Sequence, residues 1–212
     1  MTAAQTQTQP LPHGRGSDQS RDREGAVASE YEGVIVKRCT TVRLATVWLD
    51  GCSGCHMSLL DTDERLIALA QHVTVVWGPL VDAKEFPENV DVTLVEGAVS
   101  SEEDLHRIRL VRSRTKILVS LGDCAITGNV SAMRNNFGAN AVLKRAYLEN
   151  ATLDAQIPRQ VIPPLLAIAR PVHEFVPVDV FVPGCPPPAD LIFSVLGDLL
   201  AGKMPNPAAK FG

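Results

Sequence analysis

Four cysteines stand in three stretches of sequence that each follow a predicted strand. Cys52 and Cys55 form a Cys-x-x-Cys pair, whereas Cys124 and Cys185 are single cysteines far along the chain. Glycine or proline lies close to each of them, and these residues permit close backbone approach and fix the shape of a loop. Four thiolates of this kind can bind a zinc ion or an iron–sulfur cluster.

The spacing of the cysteines favours an iron–sulfur cubane over zinc. Four-cysteine zinc sites usually combine two local Cys-x-x-Cys pairs, and this chain has one. A Cys-x-x-Cys between a strand and a helix is also typical of thioredoxin-like dithiols, but that interpretation leaves Cys124 and Cys185 without a function. A fifth cysteine, Cys39, is interpreted as a small buried hydrophobic residue.

The segments around the cysteines alternate between strand and helix patterns. Short β-branched runs predict strands, and apolar residues at helical spacing predict helices; the strands are 42–49, 73–77, 91–95, 116–121 and 179–182, and the helices are 58–71, 100–112, 128–136, 141–150 and 189–201. A proline-broken stretch, 158–177, separates the last two groups. The alternation predicts an α/β fold with a doubly wound parallel sheet. Parallel strands end at one edge, where such sheets bind ligands, so we expect the four cysteines to meet there.

Composition excludes several classes of function. Lysine and arginine total 20 against 24 acidic residues, giving a net charge of −4, which is unsuited to binding a phosphate backbone. Uncharged runs are too short for a membrane span, and no export signal is recognised, so a cytoplasmic location is expected. Five cysteines in a reducing compartment are metal ligands more often than disulfides. Residues 1–41 are polar and predict a disordered or partner-ordered arm, which leaves 42–212 as one domain.

Three motifs, in this order, resemble the small subunit of nickel–iron hydrogenases. They read LDGCSGCHMS at 49–58, GDCAITG at 122–128 followed by AMRN, and PGCPP at 183–187. The sequences of these motifs are most similar to those of the cytoplasmic, NAD-coupled bidirectional enzymes. The resemblance extends over residues 42–212, including the closing KFG. The related cluster-bearing subunit of respiratory complex I shares the third motif, but it carries two adjacent cysteines in the first.

The resemblance implies a flavodoxin-like domain that holds one proximal [4Fe–4S] cluster through Cys52, Cys55, Cys124 and Cys185. It also implies partners: a large subunit with the nickel–iron centre, and a diaphorase module with iron–sulfur clusters, flavin and an NAD site. The implied reaction is H2 + NAD+ = NADH + H+, with hydrogen cleaved in the large subunit. No cysteine follows Cys185, so we expect a single cluster, and electrons must leave through another protein. No catalytic base or nucleophile is predicted on this chain.

Four polar residues are predicted to lie near the cluster. His56 follows Cys55 and could donate a hydrogen bond to a cluster sulfur or simply pack in the loop. Glu64 falls inside the apolar stripe of the predicted helix 58–71, so it either approaches the cluster or the partner, or reaches solvent at the edge of the stripe. Asp50 and Asp123 would each raise the cost of adding an electron, or pair with a basic residue of the partner.

Further features leave alternatives open. Ser100 and Ser101 precede a predicted helix, where a phosphate could bind, so an FMN seat is compatible with the sequence; the simpler interpretation is a capping box over 100–103, and no flavin is predicted. Arg134 and Asn135 either shape the cluster loop, contact the large subunit or lie on a plain surface helix. For the whole chain, the alternatives are a complex-I-like subunit that passes electrons to quinone and a thiol oxidoreductase or zinc module.

Overall fold

Five parallel strands form the central sheet of the computed structural model, which describes residues 41–207. Cys39, residues 210–212 and all but the last residue of the predicted arm lie outside the described residues. The strand order is β2-β1-β3-β5-β7; the strands are β1 (Val42–Trp48), β2 (Val73–Trp77), β3 (Val90–Glu96), β5 (Thr115–Leu121) and β7 (Val180–Val182). This arrangement confirms the predicted α/β class.

Helices cover both faces of this sheet. Their bounds are α1 (Gly54–Leu60), α2 (Arg65–Ala70), α3 (Glu102–Arg114), α4 (Asp123–Thr127), α5 (Asn129–Ala132), α6 (Ala139–Lys144) and α7 (Ala189–Leu200). One core packs α1 and α7 against side chains such as Leu94 and Leu121. The other packs α3 against their strand neighbours, including Val95 and Leu118. Burial on both faces explains why β3 and β5 are almost continuously apolar.

The predicted helix 58–71 is two helices in the structure. The first begins at Gly54, beside the cysteine pair, and a turn with Asp63 at φ +50° separates it from α2. At this turn the Thr62 hydroxyl donates to the Leu59 carbonyl at 2.8 Å. Such local side-chain bonds compete with helix continuation, and the apolar spacing across the turn gave no sign of the break.

A second, two-stranded sheet was missed by the sequence pattern. Its strands β4 (Val99–Ser101) and β6 (Leu165–Arg170) pair antiparallel. β6 lies inside the stretch that we predicted to be proline-broken, because the prolines bound the strand rather than interrupt it. The helix after β4 begins at Glu102, two residues after the start of the predicted helix 100–112, with a capping box formed by Ser101 and Asp104.

The segment after β5 is more finely divided than predicted. Residues 128–136 form α5 and a 3-10 turn at Met133–Asn136, and α6 continues as a π-helical turn at Arg145–Glu149. The short helix α4 was not predicted. Within residues 41–207, no helix is long and apolar enough to cross a membrane.

Candidate functional site

The carboxyl ends of three strands carry the four predicted cysteines. Cys52 follows β1 and Cys55 lies in the first turn of α1; Cys124 lies in the first turn of α4, directly after β5, and Cys185 follows β7. Cys55 is buried, Cys124 is half-buried, and Cys52 and Cys185 are exposed. The doubly wound topology therefore brings the cysteines to one edge of the sheet.

The pKa values of two of the four thiols, Cys55 and Cys124, are shifted by their surroundings, which include the other cysteines. Burial raises the pKa of the Cys55 thiol far above its ordinary value, and the Glu96 carboxylate and the other three cysteines raise it further. Burial also raises the pKa of Cys124; the Val130 and Ser131 N–H groups act against this rise, and Cys185 and Cys52 add to it. A cationic group bound among the cysteines would therefore favour the charged forms of Cys55 and Cys124.

The donor set fits such a group. Thiolates are the ligands of iron–sulfur clusters, and N–H groups directed at the sulfurs are a usual part of their surroundings. Here the Gly54 N–H donates to Cys52 Sγ at 3.4 Å, and the Val130 and Ser131 N–H groups bond Cys124. Among residues 41–207, no three His, Cys, Asp or Glu side chains are grouped so that they could hold a single metal ion.

Glycine gives the cysteines room at this edge. Gly122 has φ +82°, and a Cβ at this residue would lie 2.2 Å from Cys55 Sγ. Gly184 has φ +136°, and a Cβ there would lie 2.6 Å from Pro187 Cα. Both positions therefore require glycine, for the close backbone approach that the sequence predicted.

Two polar side chains fasten the Cys185 loop to the helices that carry the other cysteines. Asp123 Oδ1 accepts the Gly184 N–H at 2.8 Å, and the Asp123 N–H donates to the Gly184 carbonyl at 2.9 Å. From α1, the Ser58 hydroxyl donates to the Pro187 carbonyl at 2.5 Å. The Asp123 carboxylate is therefore bonded within this chain through Oδ1. The contacts of Asp50 are made by its backbone, which pairs with Ala98.

Glu96 is a site residue that the sequence pattern did not identify. It ends β3 in the middle of the sheet, is 1% exposed, and its carboxylate accepts the His56 backbone N–H at 3.0 Å. The same carboxylate oxygen also contacts His56 Nδ1. The sequence held one signal for Glu96: an acidic residue ends a β-branched strand at the edge of the sheet that carries the cysteines.

The structure separates Glu64 from this group. Its residue precedes α2 and is exposed on the turn that interrupts the predicted helix. The expected apolar stripe around Glu64 therefore does not form, and this part of the prediction was wrong. The exposure of Glu64 agrees with the second alternative, an acid that reaches solvent.

Arg134 and Asn135 hold the second sheet. Arg134 donates to the Ser100 carbonyl at 3.0 Å and to the Leu166 carbonyl at 3.1 Å. Asn135 exchanges two hydrogen bonds of 2.8 Å with the Ala169 backbone. The Ser100 and Ser101 hydroxyls bond Asp104, as capping predicts, although the box is formed by Ser101 rather than Ser100.

Comparison with known proteins defines the family. The sequence model described as NADH ubiquinone oxidoreductase, 20 Kd subunit, matches residues 52–199, a span that contains all four cysteines. The chain belongs to this family, and its relatives place it among the hydrogenase small subunits of the NAD-reducing type.

Three relatives make this placement specific. The chain is 42% identical to the NAD-reducing hydrogenase HoxS subunit delta of Cupriavidus necator, over 84% of each chain. It is 36% identical to a subunit of the vhu F420-non-reducing hydrogenase of Methanocaldococcus jannaschii over 78% of this chain, and it spans 58% of that longer relative. A crystal structure of an NAD+-reducing [NiFe]-hydrogenase in the H2-reduced state contains a chain that aligns in full with 82% of this one, at 38% identity and a TM-score of 0.77.

Proposed function

We propose that this chain is an electron relay, the small subunit of an NAD-linked [NiFe] hydrogenase. It passes electrons between the nickel–iron centre of a large subunit and a diaphorase module, in the overall reaction H2 + NAD+ = NADH + H+. The observation that carries the proposal is that three parallel strands of one sheet end beside four cysteines, in a chain of the hydrogenase small-subunit type.

Cys52, Cys55, Cys124 and Cys185 would hold one [4Fe–4S] cluster. When bound, such a cluster takes up and releases one electron at a time. The chain's own residues place and polarise the ligands: Gly122 admits the Cys55 thiol, and Asp123 holds the Cys185 loop. The backbone N–H groups that bond Cys124 favour its charged form.

Exposed apolar side chains beside the cysteines support a partner chain at this edge. The Val130 N–H bonds Cys124, and Val130, Met133 and Phe137 are 61%, 66% and 74% exposed. Large apolar side chains exposed together mark protein interfaces. We assign this edge to the large subunit, so that the cluster and the nickel–iron centre would face each other. The diaphorase partner and the cytoplasmic location stay predictions.

The positions of Cys124 and Cys185 argue against the thiol oxidoreductase alternative. A dithiol uses only the Cys52–Cys55 pair, whereas two more cysteines follow strands that end at the same edge of the sheet. The complex-I-like alternative shares the family, but the relatives that resemble this chain at 42% and 36% identity are hydrogenase subunits.

Iron and acid-labile sulfide, measured on anaerobically purified protein with its partners, test the proposal. We expect about four irons and four sulfides for this chain's cluster, with a reducible EPR signal. Cys124→Ser should lose this signal, whereas the matched Cys39→Ser variant should retain it. Bound zinc would contradict the proposal, and so would an EPR signal that persists in Cys124→Ser as it does in Cys39→Ser.

A further inference from the structure

Glu96 is a buried carboxylate with two bonds to one residue. It lies in the central strand β3, and its oxygen meets both the backbone N–H and the ring Nδ1 of His56. Burying a carboxylate costs free energy unless its oxygens are hydrogen-bonded, so the two contacts with His56 offset the cost of burying Glu96. A carboxylate accepts hydrogen bonds, so Nδ1 donates, and the contact fixes the orientation of the ring.

The second nitrogen of this ring has no bonding partner. His56 Nε2 is buried and without a hydrogen-bond partner among the residues that the structure describes. Buried polar atoms are almost always bonded, so an unbonded one needs an explanation. His56 directly follows Cys55, and Glu96 acts electrostatically on the Cys55 thiol, so the ring lies beside the four-cysteine site. A group held by these cysteines would bring an acceptor to this side of the ring.

We propose that Glu96 is a positioning residue that holds His56 so that Nε2 donates a hydrogen bond to the sulfur of the bound cluster. A ring that donates from both nitrogens is cationic, and Glu96 supplies the opposite charge inside the site. Hydrogen bonds to the sulfurs help to set a cluster's reduction potential, so this contact makes the cluster easier to reduce. The inference rests on the proposed function, because it requires a cluster at the four cysteines.

A double-mutant cycle on the midpoint potential separates positioning from simple charge. The variants are Glu96→Gln, which retains an acceptor for the His56 backbone N–H, and His56→Phe, which retains a ring. The potential is measured by EPR-monitored redox titration of the intact complex. We expect His56→Phe to lower the potential. Glu96→Gln should lower it too, because an amide accepts a weaker bond than a carboxylate.

In the H56F background the expected sign reverses. There Glu96 can act only through its negative charge, so Glu96→Gln should raise the potential. An equal upward shift in both backgrounds would show that Glu96 acts by charge alone, and would overturn the proposal. An unchanged or raised potential in the single H56F variant would overturn it as well, even if Glu96→Gln fails to fold.

Asp91 offers a matched control on the same strand. Its carboxylate also accepts a backbone N–H, from Arg43 at 2.9 Å, but it lies five residues from Glu96, about 16 Å away at the opposite end of β3. Asp91→Asn should leave the potential unchanged. If Cys124→Ser removes no cluster signal from the complex, the proposed function itself is refuted, so the two failures are distinguishable.

Discussion

Replacing Gly122 with alanine tests the position of the Cys55 thiol. The added Cβ would lie 2.2 Å from Cys55 Sγ, whereas non-bonded atoms pack at about 3.5–4.0 Å. The thiol must therefore move by roughly 1.3 Å, or the backbone of the β5–α4 turn must shift instead. Metal–ligand distances tolerate only about 0.2 Å, so either movement should break the bond between Cys55 and a cluster.

Gly138 provides a control with the same backbone strain. Its dihedral angles are φ 79° and ψ 153°, against 82° and 162° at Gly122, a region that is nearly exclusive to glycine. Alanine should cost about 1–3 kcal/mol of strain at either position. A Cβ at Gly138, however, meets nothing within 4 Å. The difference between the two variants therefore isolates the contact with Cys55.

Iron and sulfide per chain, with the reduced-state EPR spectrum, are the readouts for both variants. We expect Gly138→Ala to retain the iron content of the unmodified protein and Gly122→Ala to lose most of it. Circular dichroism should show that both variants keep the sheet. Full iron content and an unaltered spectrum in Gly122→Ala would refute the assignment of Cys55 as a ligand at this position.

Two further predictions concern stability. Asp123→Ala should cost about 1–3 kcal/mol of unfolding free energy, because it leaves the Gly184 N–H without its acceptor, and Asp123→Asn should cost less. With a urea m-value of about 2 kcal/mol/M, the unfolding midpoint of the alanine variant should fall by about 0.5–1.5 M. An unchanged midpoint would contradict the role of Asp123 in holding the Cys185 loop. Burial raises the pKa of Asp91, but hydrogen bonds from Lys116 and the Arg43 N–H outweigh burial and lower the pKa. The stabilisation from the charged carboxylate is therefore present at neutral pH and lost as the pH falls through the lowered pKa. In urea unfolding, Asp91→Asn should be less stable than the unmodified protein at pH 7 and nearly equal to it at about pH 2.

The sequence predicted the features that depend on local patterns. The five sheet strands are β-branched runs, and a parallel sheet fixes the edge at which their carboxyl ends lie, so the meeting of Cys52, Cys124 and Cys185 followed from their positions after strands. What could not be predicted depends on pairs that are distant in sequence. Asp123 and its donor Gly184 are 61 residues apart, and Glu96 and His56 are 40 apart. No periodicity encodes such contacts.

The contacts between residues distant in sequence also explain how the four-cysteine edge can fold before a cluster binds. Burial and mutual repulsion disfavour the thiolate forms of Cys55 and Cys124, so the cysteines themselves do not hold the edge together. The bonds that do so join neutral backbone groups to Asp123 and Ser58, and they are independent of any thiol. On the proposed function, the fold would supply the geometry of the ligands, and a cationic cluster core would supply the charge that lets Cys55 and Cys124 ionise. Such a division suits an electron relay, because a rigid ligand cage needs little rearrangement when an electron arrives or leaves.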